Sequence, residues 1–146
     1  MIYLFVARDS DMIVFENHLE KQVQAAKFQA DIFEVLNNYQ DIDDIEARPK
    51  TQVTPLIFDN LKLHIMFDTI YYGLISSNEF AEEKAQRLLS DVREEVKKMY
   101  KGNVQFMMKQ TNLERNCLDK FLRPKITLLL ENYNTNISSK NLNAAF

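Results

Sequence analysis

At 146 residues the chain has room for one domain of ordinary size, with a core that hides roughly two-thirds of the surface its unfolded form exposes. Its 46% apolar and 27% charged residues are those of a folded globular chain, and its two glycines, Gly73 and Gly102, exclude any glycine-rich phosphate loop. Lys and Arg total 18 against 21 Asp and Glu, a net charge of -3, the wrong sign for a protein that neutralises many phosphates, so no nucleic-acid partner is expected.

Residues 2 to 7 (IYLFVA) are apolar on both alternating faces, which predicts a strand covered on both sides. A polar turn, Arg8 to Asp11, leads to a second strand over Met12 to Glu16 that returns as a hairpin. Residues 17 to 38 change to helical spacing, with Leu19, Val23, Ala26, Ala30 and Phe33 on one face. Opposite them a second stripe, Phe28, Ile32, Val35 and Tyr39, recurs by four, three and four. A helix on a sheet needs one apolar stripe. Either the second stripe is a binding surface, or its larger residues face the sheet and the alanines lie outside.

Tyr39 to Lys50 is acidic, aperiodic and carries Pro49, so it reads as a solvated loop; its Asp41–Glu46 run lacks the glycine and glutamate spacing of a calcium loop. Three strands are expected next, Thr51–Phe58, Leu61–Phe67 and Ile70–Ser76, with Pro55 placing the first at a sheet edge. The second alternates, His64 falling on its polar face, and the third is apolar on both faces like residues 2 to 7. Two such strands fit best side by side in the middle of one sheet. From Asn78, a candidate cap, a helix carries Ala85, Leu88, Leu89, Val92, Val96 and Met99 within one arc and ends near Gly102. Residues 103 to 112 read as a loop. A last helical region over about 113 to 133 is expected to be interrupted, with a helix starting at Pro124.

Catalytic and metal chemistry find little support. Neither His18 nor His64 has an adjacent nucleophile, Cys117 reads as a packing residue, and no cysteine–histidine cluster has zinc spacing, so no catalytic residue, metal or cofactor is expected. One cysteine excludes an internal disulfide and suits a reducing compartment. The N-terminus lacks a basic leader region and no apolar run approaches the roughly 20 residues of a membrane span, so a cytoplasmic chain with no span of its own is expected.

The order strand, strand, helix, three strands, helix, helix resembles the longin domain, the N-terminal regulatory domain of long vesicle-type R-SNAREs. IYLFVARDSDMIVFE is similar to the family's first hairpin, LKLHIMFDTIYYGLISSNEF to its fourth and fifth strands, AEEKAQRLLSDVREEVKKMY to the helix after them, and FLRPKITLLLENY to its final helix. The resemblance implies an α+β, profilin-like fold over residues 1–133, a five-stranded antiparallel sheet with one helix on one face and two on the other, followed by a polar tail, 134–146, leading towards a SNARE motif. No heptad run with a central arginine follows here, so the chain is expected to be either the regulatory part of a longer protein or a stand-alone longin. The function implied is non-enzymatic: a regulatory interaction domain of vesicle traffic and membrane fusion at the cytosolic face of endomembranes, reached through a C-terminal anchor or a partner. Its partners would be a SNARE motif, from its own chain or a partner SNARE, or a trafficking adaptor. The alternative is a small longin-fold subunit of a coat or tethering complex. The expected partner groove consists of Phe28, Ile32 and Val35 with Val53 and Ile57 of the neighbouring edge strand.

Overall fold

The computed structural model of the protein describes residues 2–9, 12–18, 26–56, 60–99 and 119–133. Five strands, β1 (Tyr3–Asp9), β2 (Met12–His18), β3 (Thr51–Pro55), β4 (Leu61–Asp68) and β5 (Ile70–Ser77), form one sheet of order β2-β1-β5-β4-β3. All four pairings are antiparallel. The two strands that are apolar on both faces, β1 and β5, are neighbours at the centre, as their pattern requires. β3, which carries the donor-less Pro55, is an edge.

The helices cover both faces of the sheet. α1 (Ala26–Gln40) packs Ile32, Val35, Leu36 and Tyr39 against Tyr3, Phe5, Leu63, Ile65 and Tyr71. α2 (Glu82–Met99) and α3 (residues 119–133) cover the other face, where Leu88, Leu89 and Val92 and then Leu122, Ile126 and Leu130 meet Leu4, Val6, Tyr72 and Leu74. The result is an α+β fold, a five-stranded antiparallel sheet with one helix on one face and two on the other, consistent with a longin-like fold. α2 buries the expected stripe, with Asn78 in the turn ahead of it. α3 is fastened at both ends. Arg123 donates to the Glu16 carbonyl at 2.7 Å, pairs with Asp119 at 2.6 Å and lies over the Phe15 ring, while the Tyr133 hydroxyl donates to Asp91 at 2.9 Å.

Three expectations are corrected. Pro124 does not start the last helix: it lies within the continuous helix 119–133, exposed on the side away from the core. The loop 39–50 begins as the last turn of α1 and contains a 3-10 turn, Ile45–Ala47, capped by the Asp44 carboxylate accepting from the Glu46 amide at 3.0 Å. The supposed polar face of β4 is covered, His64 being 1% and Met66 8% exposed, because α2 and α3 lie on that side. Gly102, Cys117, the 103–112 loop and the tail 134–146 lie outside the described residues.

Candidate functional site

The groove expected from the sequence is not assembled. Ile32 is fully buried and Val35 7% exposed, both on the face of α1 that packs on the sheet, while Ala30 is exposed. The second of the two orientations is the one adopted, since Ile, Val, Leu and Tyr hide far more apolar area per residue than alanine. Val53 pairs with His64 and Thr54 with Leu63. Directly opposed residues share a face, so Val53 belongs to the side of α2 and α3, across the sheet from Ile32 and Val35. Phe28 lies in α1, though its side chain is outside what the structure describes, and Ile57 is outside the described residues.

The concave feature instead lies where α1 ends. Gln40 from the end of α1, Ile45 and Glu46 of the 3-10 turn, Arg48 and Lys50 from the run into β3, Asp68 and Thr69 at the β4–β5 turn and Tyr71 of β5 line a cleft of about 560 Å³, with Arg8 and Phe67 completing its wall. That is the size of a small-molecule or side-chain pocket. Its floor is aromatic. Phe67 and Tyr71 lie 5.0 Å apart, and Tyr39 meets Tyr71 edge-on at 5.5 Å. The Tyr39 hydroxyl is buried without a hydrogen-bond partner, and burial, then the nearby Tyr71, pushes its pKa up to about 12.

Arg48 organises the cleft. Its Nε donates to the Ile42 carbonyl at 3.1 Å, its Nη1 donates to the Tyr71 hydroxyl at 3.4 Å, and its guanidinium lies 5.4 Å from the centre of the Phe67 ring. Burial raises the Tyr71 pKa while the Arg48 charge opposes it, so the hydroxyl stays protonated. The remaining charges are unevenly matched. Arg8 pairs with Asp9 at 3.1 Å, and Asp68 is engaged from α2 by Lys97 at 3.0 Å and Arg93 at 3.7 Å. Among the described residues no carboxylate is within ion-pairing distance of Arg48 or Lys50. The turn also carries strain: Thr69, β-branched, has φ 67°, a region such residues avoid.

Sequence reasoning passed over these residues. Arg48 stands in a loop read as solvated, and its partner Tyr71 is 23 positions away in a strand read only for packing. The local signal was the Arg-Pro-Lys run, two cations after an acidic stretch. His64, the candidate acid–base residue, is a core residue: its Nε2 is 2.8 Å from Ser76 Oγ, and burial, then the Lys62 charge, pushes its pKa down to about 4. His18 ends β2. Among the described residues no group of three or more His, Cys, Asp or Glu is placed to hold a metal, and no helix is long and apolar enough to cross a membrane. Comparison with models of known protein families and with curated proteins gives no match for this chain.

Proposed function

We propose that this is a regulatory protein-interaction domain of vesicle traffic and membrane fusion, of the longin type, that binds a SNARE motif or a sorting adaptor at the cytosolic face of endomembranes. The observation that carries the reading is the five-stranded antiparallel sheet with, among the described residues, α1 on one face and α2 and α3 on the other, the arrangement the family resemblance implies. Two surfaces suit a partner. β3 has no strand beyond it among the described residues, and its centre is only half-buried. The cleft at Arg48 adjoins the start of that strand.

The test is proximity labelling from the tagged chain in its own cell, with native size measured alongside. Enrichment of SNAREs or sorting adaptors over a cytosolic control is expected, with a size that changes on partner addition. Labelling no richer in trafficking proteins than the control sinks the reading. A fixed stoichiometric assembly with coat or tether subunits replaces it with the subunit alternative.

A further inference from the structure

We propose that the cleft at the end of α1 receives an acidic side chain of an extended partner segment, the Arg48 guanidinium taking the carboxylate and the exposed Ile45 side chain at the rim taking an apolar neighbour. The inference rests on the interaction-domain reading and names the chemistry of the partner.

Three observations carry it. The guanidinium is held in place before any ligand arrives, lying over Phe67 and donating to Ile42 through Nε and to Tyr71 through Nη1, and among the described residues its Nη2 makes no hydrogen bond. A planar fork fixed in this way suits two parallel hydrogen bonds to a carboxylate. The lining carries three cations, Arg8, Arg48 and Lys50, against two carboxylates, Glu46 and Asp68, and among the described residues Arg48 and Lys50 have no carboxylate within ion-pairing distance while Asp68 is engaged by α2. Geometry then selects a peptide. Lys50, on the cleft wall, is followed directly by Thr51, the first residue of edge strand β3, and Lys50 is held beside β4 by its carbonyl accepting from the Phe67 amide at 2.8 Å. Arg48 stands three residues before Thr51 in the chain, so a segment that adds to the β3 edge and continues past its start comes beside the cleft. Ile45, 61% exposed, offers the apolar surface at the rim, the buried Phe67 and Tyr71 rings serving to hold Arg48.

The experiment titrates the full chain, labelled with nitrogen-15, with a short threonine- and isoleucine-containing peptide ending Asp-Phe-Glu, with its Asn-Phe-Gln counterpart, both amidated at the C-terminus so that only side chains differ in charge, and with inorganic phosphate. The acidic peptide is expected to give saturable shifts at the amides of Thr51, Thr69 and Tyr71, and to bind about tenfold or more tightly than the neutral one, the worth of one charge-assisted contact. Arg48→Gln should abolish that preference while keeping a dispersed spectrum. Lys50→Gln, an exposed change that leaves the fold intact, should reduce the preference about two- to threefold by losing a nearby charge. Equal affinity for both peptides overturns the proposal, as does an unchanged preference in Arg48→Gln or, should that variant not fold, in Lys50→Gln. Phosphate matching the acidic peptide in affinity and in the amides shifted leaves a general anion site and overturns the peptide assignment. Failure here with trafficking proteins still enriched by labelling removes the cleft and leaves the interaction-domain reading in place.

Discussion

Gly73 on β5 faces Phe5 on β1, and a Cβ built there would stand 2.1 Å from Cζ of the ring. Phe5 is completely buried and has nowhere to go. Gly73→Ala should therefore cost about 3 kcal/mol or more in a denaturant titration, and Phe5→Leu in the same chain should recover part of it; a loss below about 1 kcal/mol would show that the ring moves freely. His64 makes a different demand. The single Ser76 hydroxyl proton is engaged by the Ser77 carbonyl at 3.1 Å, which assigns the imidazole proton to Nε2 and leaves Nδ1 buried with no partner. The folded state thus holds the ring neutral, with a pKa near 4 against 6.5 for the free side chain. A depressed histidine pKa means that the unfolded chain binds the proton first. Stability is complete above about pH 6.5 and falls towards pH 4, by about 3 kcal/mol over that window. His64→Gln, which keeps a hydrogen-bonding group beside Ser76, should flatten this part of the pH profile. A folded-state titration near 6.5 assigned to His64 by carbon-13 NMR, with His18 replaced to remove its signal, would overturn the account.

At the scale of elements, Pro124 is the clearest conflict between local preference and packing. It stands inside the helix 119–133, where it removes one intrahelical donor from the Lys120 carbonyl, yet Leu122, Ile126 and Leu130 on the same helix are buried. Burial of three aliphatic side chains, roughly 1.5 to 3 kcal/mol each, outweighs a proline penalty of about 3. Pro124→Ala should accordingly raise stability by about 2 kcal/mol once the freer unfolded chain is counted, and a thermal melt that moves downward would refute this. The same contest decides what the sequence discloses. β1, β5 and the α2 stripe were legible because their apolar patterns admit one placement, and Pro55 marked the edge strand because a missing donor is a local fact. α1 was ambiguous because two stripes competed, and the buried set 32, 35, 36 and 39 follows from the volume available over the sheet. The cleft was not legible, since Arg48 gains its meaning from Phe67 and Tyr71, which only the fold brings near.

Across the whole molecule one sheet serves two cores. Leu4, Val6, Tyr72 and Leu74 belong to the core under α2 and α3, while Tyr3, Phe5, Tyr71 and Ile75 on the same two strands belong to the core under α1. Neither core is separable, because alternate residues of one backbone supply both. Leu88→Asp, which places an unpaired carboxylate at a fully buried site on one side, should cost several kcal/mol of a total near 5 to 15 and weaken α1 on the far side as much as α2. Native-state hydrogen exchange is the measurement: the slowest amides of α1 and α2 are expected to share one opening free energy in wild type and to fall together in the variant. An α1 that keeps its protection would mean two independent units. The central pairing also sets an order in time. β5 begins at Ile70, about 60 residues after β1 ends at Asp9, so at 5 to 20 residues per second the ribosome makes the first strand roughly 3 to 12 s before its central neighbour. For that interval a hairpin with two greasy faces emerges with no sheet to join. Until β5 is made the nascent chain therefore carries apolar surface that only the finished sheet can cover, whatever the stability of the finished domain.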